Sequence, residues 1–265
     1  MSAQQQNITN SQDIYKKISK FIPEAEWKIH APLIDKINKL KKEKNAIILA
    51  HNYQTTEIYH CVADIAADSL ALAVEAAKTS ADVKAETDVC CTSANAVKVV
   101  ESLNVDKVIF LPDQYLADYV AKNTKVKIIS WKGTCVVHEQ FTGKEIEDIK
   151  NQNPGIKVIA HPECPPDVIE ASDFAGSTSG MVKYVKENQP KKVMLVTECS
   201  MSDNVEADNP NVSFIKPCNL CPYMKKIDLE KILDCLENDT NEILLDNKTI
   251  EAARKSVIRM TEIGR

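Results

Sequence analysis

The chain has 265 residues, 44% hydrophobic and 27% charged, with a formal net charge of −5 and nine cysteines. That composition is globular; its acidic balance argues against a nucleic-acid partner, and its longest apolar runs, such as residues 46–50, are too short to span a bilayer. The opening MSAQQQNITN has neither the basic nor the apolar region of a secretory signal, so the expected location is cytoplasmic, where thiols stay reduced and the cysteines are not a disulfide framework.

Residues 1–45 read as a polar tail followed by helices: a short one over 11–21, ended near Pro23, and an amphipathic one over 31–44 with Leu33, Ile34, Ile37 and Leu40 on one face. The apolar run 46–50 then reads as a buried strand ending at His51. Further strands are predicted at 107–111, 125–130, 157–160 and 192–196, separated by helices at 69–78, 94–103 and 180–187. Near-continuous apolar strands alternating with helices predict an α/β fold with parallel sheets. From Leu229 onward two more helices are expected, the first packing through Leu229, Ile232, Leu233 and Leu236.

The chain also repeats itself. Asp82-Val83 matches Asp167-Val168, Thr92-Ser93 matches Ser177-Thr178, Val97-Lys98 matches Val182-Lys183, and Lys107-Val108 matches Lys192-Val193, always 85 residues apart. In each copy a hydroxyl cluster opens a helix, a strand follows, and a cysteine comes 42 or 43 residues after the hydroxyl: Cys135 after Ser93, Cys221 after Thr178. An earlier copy begins with His51, Asp64 and Ser69, which match His161, Asp173 and Thr178, but Ser93 arrives only 24 residues after Ser69. About 60 residues are therefore expected to be missing near 78–81. The division that follows is 1–45 for the tail and helices, 46–150 for a merged first and second α/β repeat, 151–226 for the third repeat and 227–265 for the C-terminal helices.

Open α/β sheets place ligands at the C-terminal ends of their strands. His51 and His161-Pro162-Glu163 stand there at matched repeat positions, which favours a functional role over that of loop or capping residues. Glu163 would serve as an acid or base if burial raised its pKa toward neutrality. Ser69, Ser93 and Thr178 stand at predicted helix starts, where a hydroxyl can cap the helix and the free N–H groups can also receive an anion. Cys135, Cys218 and Cys221 are candidate ligands. One thiolate per repeat, meeting on a pseudo-threefold axis, would suit an iron–sulfur cluster with one open iron, whereas Cys218 and Cys221 would need two more ligands to close a zinc site. Cys61, Cys164, Cys199 and Cys235 are expected to be packing residues.

Ala50-His-Asn-Tyr-Gln54, Asp68-Ser69-Leu70, Cys91-Thr-Ser-Ala-Asn-Ala96, Trp131-Lys-Gly-Thr-Cys-Val-Val-His-Glu139, His161-Pro-Glu-Cys-Pro165, Gly176-Ser-Thr-Ser179 and Cys218-Asn-Leu-Cys-Pro-Tyr-Met224 together resemble the quinolinate synthase family. The resemblance implies a pseudo-threefold set of three-layer α/β/α domains around a [4Fe-4S] cluster acting as a Lewis acid. It also implies condensation of iminoaspartate with dihydroxyacetone phosphate to quinolinate in NAD biosynthesis, with a functional link to L-aspartate oxidase. Matched residue by residue, it makes Cys135 and Cys221 cluster ligands. His51, Ser69, Ser93, His161, Glu163 and Thr178 become substrate contacts, with Glu163 and His161 catalytic. The family's first cysteine ligand lies in a loop this chain lacks, so Cys91 or water would have to replace it. A second expectation is therefore a non-catalytic remnant that binds a dicarboxylate or a partner chain across the seam.

Overall fold

The computed structural model describes residues 11–69 and 82–264. Helices α1 (Ser11–Ile18) and α2 (Glu24–Lys44) lead into strand β1 (Leu49–His51), a short wide-turn helical segment (Ile58–Val62) and β2 (Ile65–Ala67). Helix α2 starts well before the predicted residue 31 and carries Pro32 in its interior. The predicted helix over 69–78 lies, but for Ser69, outside the described residues. After a short helix α3 (Asp82–Ala85) come α4 (Ala96–Ser102), β3 (Lys107–Phe110), α5 (Gln114–Lys122), β4 (Lys127–Ser130) and α6 (Gly143–Gln152). The third repeat holds β5 (Lys157–Ala160), α7 (Pro166–Ala171), β6 (Phe174–Ala175), α8 (Thr178–Asn188), β7 (Lys192–Val196), α9 (Cys199–Asp208) and β8 (Ser213–Ile215). Two helices, α10 (Leu229–Asn238) and α11 (Asn247–Ile263), close the chain.

The α/β class with parallel sheets is as expected, and the described strands form three separate sheets: β1–β2, β3–β4 and β6–β5–β7–β8. In the four-stranded sheet, Val158, Ala160, Met194 and Val196 face Ile146 of α6 and Val168 of α7, while Ile159, Val193 and Leu195 face Met181 and Val185 of α8 and Met201 of α9. Alternate residues thus enter opposite cores, which is why β5 and β7 are apolar throughout. The two small sheets are halves of this larger one. Ala50 pairs with Ala66 as Ala160 pairs with Ala175, and Lys107 pairs with Lys127 as Lys192 pairs with Ser213. Sheet β1–β2 therefore corresponds to β5–β6, and β3–β4 to β7–β8. The counterparts that would complete each small sheet fall in the stretch that the repeat spacing finds missing.

Sheet β3–β4 shows the consequence. Its inner face, with Val108 and Phe110, packs against Ala96 and Val100 of α4 and Leu116 and Val120 of α5. Its other face is bare: Ile109 is 72% exposed and Ile129 45%. At the other end of the chain, Leu229 and Leu233 of α10 enter a core with Ile18, Ile34 and Ile37, and Ile232 and Leu236 pack against it, so the predicted face of α10 is a packing face. Helix α11 instead lies against α3 and α4. Among the described residues no helix is long and apolar enough to cross a membrane.

Candidate active site

A cavity of about 830 Å³ opens where the C-terminal ends of β1 and β5 converge. It gathers seven of the eight sequence-predicted residues: His51, Ser69, Ser93, Cys135, His161, Glu163 and Thr178. Cys221 is not on its wall. Both cysteines nevertheless pack against one core, that of the four-stranded sheet.

The two strand-end histidines are held alike. The Tyr53 N–H donates to His51 Nδ1 at 3.3 Å, and the Glu163 N–H donates to His161 Nδ1 at 3.4 Å. An N–H two residues downstream thus occupies Nδ1 in both copies, which puts the ring proton on Nε2. Burial lowers the His51 pKa to about 4 and that of His161 to about 3, so both rings are neutral at pH 7. His161 Nε2 lies 3.1 Å from Ser93 Oγ.

The Ser93 and Thr178 hydroxyls are not the N-caps of the helices they precede or open. Asn95 is the N-cap of α4, and Ser177, accepting from the Gly180 N–H, is the N-cap of α8. Thr178 is free to accept a hydrogen bond of 2.9 Å from the buried Asn52 side-chain amide. Ser69 is exposed at the cavity wall.

Behind Glu163 stands His138, 1% exposed, its ring stacked on His161 with centroids 4.5 Å apart. His138 Nδ1 is 3.2 Å from Glu163 Oε2, and its Nε2 is 2.9 Å from Thr197 Oγ1, which Tyr53 OH also meets at 2.7 Å. Burial alone would lower the His138 pKa, but the Cys135 and Glu163 side chains outweigh it and push it up to about 9. Burial alone would likewise raise Glu163, but the His161 and His138 rings outweigh it and bring it down to about 2. This corrects the expectation that burial carries Glu163 toward neutrality: it is a fixed carboxylate beside an imidazolium.

The ligand atoms of Cys135, His138 and Glu163 all lie within 4.8 Å of one another, a set that could hold a metal ion. His138 Nδ1 faces the set at 3.2 Å from Glu163 Oε2, and as an imidazolium it would have to give up that proton to bind a metal. Among the described residues no such set contains Cys218 or Cys221. Cys91, the residue named above as a replacement for the third thiolate, also lies on the cavity wall, where burial and the adjacent Cys90 push its thiol up to about 12. Of the expected packing cysteines, Cys61 and Cys164 are buried, Cys199 is half-buried, and Cys235 is exposed. Cys235 lies off the Leu229–Leu233 face of α10, and its thiol donates to the Thr240 carbonyl instead.

Tyr53, Thr197 and His138 were not singled out from the sequence, although Tyr53 and His138 lie inside the motifs quoted there. Val257 and Met260 of α11 also line the cavity, and nothing in their spacing separates them from ordinary packing residues.

A model of the family described as Quinolinate synthetase A protein matches residues 35–83 and 77–262, two segments that meet where the repeat spacing places the gap. Quinolinate synthase from Sinorhizobium fredii is 46% identical over 314 aligned positions, covering 94% of this chain and 88% of the relative. Quinolinate synthases from Caulobacter vibrioides and Xylella fastidiosa are 42% and 45% identical, covering 94% and 87% of this chain and 87% of each relative. Since 94% of 265 residues is about 249, about 65 of the 314 positions aligned with the Sinorhizobium protein face gaps in this chain. The chain is thus shorter than these relatives by an internal stretch, and by its sequence it belongs to the quinolinate synthetase A protein family, an enzyme family.

Proposed function

We propose that the cavity is a quinolinate synthase substrate site, taking iminoaspartate and dihydroxyacetone phosphate and condensing them, with loss of water and phosphate, to quinolinate for NAD biosynthesis. The observation that carries this reading is the convergence of His51, Ser93, His161, Glu163 and Thr178, drawn from separate repeats, on one cavity. The neutral Nε2–H groups of His51 and His161 and the hydroxyls of Ser69, Ser93 and Thr178 are donors suited to carboxylates and phosphate. The N-terminus of α8, opening at Thr178, adds unpaired backbone N–H groups. Glu163 is the acid/base candidate, with the His138 ring 3.2 Å behind it. Because iminoaspartate is the oxidation product of an amino acid, the reading calls for supply by an L-aspartate oxidase, with a cytoplasmic location for both activities as part of the same proposal.

The [4Fe-4S] cluster that belongs to this reading would be held by Cys135, on the cavity wall, and Cys221, which packs against the same core. When bound it would supply a Lewis-acidic iron to a substrate oxygen. Anaerobic reconstitution with iron and sulfide, an iron count and a quinolinate assay test the proposal. Four irons per chain and quinolinate formation are expected; a chain that takes up no iron and forms no product overturns it.

A second reading is favoured by the bare face of β3–β4: a non-catalytic remnant that binds a dicarboxylate or a partner chain. Titration calorimetry with succinate on the cluster-free chain, together with sedimentation, separates the two. Binding or self-association without product supports the remnant; a monomer that neither binds nor turns over rejects it.

A further inference from the structure

Two carboxylates with no assigned role occupy the same place in the second and third repeats, 85 residues apart: Asp113 and Glu198. Each follows a strand, Asp113 after β3 and Glu198 after β7, and is the N-cap of the next helix. Asp113 accepts from the Leu116 N–H of α5 at 2.7 Å, and Glu198 from the Ser200 N–H of α9 at 2.7 Å. Each also uses its other oxygen. Asp113 Oδ2 accepts from the Cys135 N–H at 3.0 Å, and Glu198 Oε1 from the Cys221 N–H at 3.4 Å. The backbone repeats as well: isolated parallel bridges join Asp113 to Gly133 and Glu198 to Asn219, each partner two residues before the cysteine. At Gly133 the approach is so close that a Cβ would stand 2.5 Å from the Pro112 carbonyl oxygen.

We propose that Asp113 and Glu198 are positioning residues that fix the backbone of Cys135 and Cys221 in the same way, one in each repeat. Capping alone would be served by Ser, Thr or Asn, none of which requires burying a charge. Asp113 is 7% exposed and Glu198 fully buried, and what the carboxylate adds is a second acceptor aimed at the cysteine loop. Glu198 is further paired with Lys225, four residues past Cys221, at 3.1 Å. The role assigned to the thiols, ligation of a cluster, rests on the functional reading above, but the placement of their backbone does not.

The test therefore uses the full cluster-free chain and reads the two cysteines separately. Asp113→Asn and Glu198→Gln keep size and replace one acceptor oxygen with an amide NH₂. Residue-resolved hydrogen exchange should show the Cys135 amide exchanging about tenfold faster in Asp113→Asn, with Cys221 unchanged, and the mirror result in Glu198→Gln. Alkylation followed by mass spectrometry should report the same selectivity, the released thiol reacting at least about threefold faster. Exchange that rises equally at both cysteines in either variant, or at neither, overturns the proposal, because a merely structural role would loosen both alike. Should Asp113→Asn not fold, Gly133→Ala, which leaves the carboxylate in place and breaks the bridge, must release Cys135 alone. None of these readouts needs iron or product, so the positioning role and the catalytic reading can fail independently.

Discussion

His51 and His161 show how much one residue's chemistry depends on its surroundings. Both are strand-end imidazoles, kept neutral by burial and set in one tautomer by an N–H two residues on. Their folded pKa values of about 4 and about 3 lie below the 6.5 of the unfolded chain, as does the value of about 4 for the buried His60. Below pH 6.5 the unfolded chain therefore binds protons that the folded chain refuses, and stability falls with acid by up to roughly 1.4 kcal/mol per pH unit for each ring. Asp113, which burial raises to about 6, opposes this between pH 6 and 4 but is a single group against three. Thermal melts between pH 7 and 4.5 should show Tm dropping; a flat profile contradicts this assignment. His138 behaves in the opposite sense. Its folded pKa of about 9 lies above 6.5, so its contribution is complete below pH 6.5 and is lost as the pH rises to about 9. The Tm advantage of the wild-type chain over His138→Gln should shrink across that window. Thr178→Val leaves the buried Asn52 amide without its acceptor and should cost about 1–3 kcal/mol in urea denaturation while weakening succinate binding. The positions of His51, His161 and Thr178 were legible from the repeat. The low pKa of Glu163 was not, because it is set by the rings of His161 and His138, the latter arriving from another element.

At the scale of elements, short apolar runs located the strands well: 157–160 and 192–196 coincide with β5 and β7, both of whose faces are covered. The short strands β2, β6 and β8 were not anticipated, since two or three residues carry too little pattern to be distinguished from loop. Helix α6 is fixed by a capping box in which the Thr142 hydroxyl accepts from the Glu145 N–H and the Glu145 carboxylate accepts from the Thr142 N–H. Thr142→Ala should lower stability by about 1 kcal/mol, measurable as a shift in the urea midpoint at constant m-value. Helix α11 gives the larger surprise. Expected from sequence only as a helix, it forms a wall of the cavity through Val257 and Met260 and is tied to residues 82–95 by the Cys90 N–H to Ser256 carbonyl bond and by the Asn95 amide on the Gly264 carbonyl. Ending the chain at residue 246 should therefore abolish succinate binding in calorimetry; retained affinity would show that the wall is dispensable.

For the whole molecule, the missing stretch is the dominant fact. The described strands form two two-stranded sheets beside a four-stranded one, each small sheet matching half of the larger in pairing. The edge of β3 that would take the counterpart of β5 pairs with no described strand, and Ile109, Ile129 and Trp131 remain exposed nearby. Exposed apolar surface of this kind drives association. The chain should dimerise or aggregate with rising concentration in sedimentation, and Ile109→Lys combined with Ile129→Lys should return it toward monomer without lowering Tm. The sequence by itself determined the family, the α/β class, the seam near residues 78–81 and seven residues of the cavity wall, because repeat spacing and strand-end position are properties of order along the chain. Only the tertiary structure decided that Glu163 is ionised, that His138 carries the proton, that Asp113 and Glu198 hold the cysteine loops, and that α11 walls the cavity. Each of these depends on burial and on contacts between residues far apart in the chain, and no local pattern encodes such contacts.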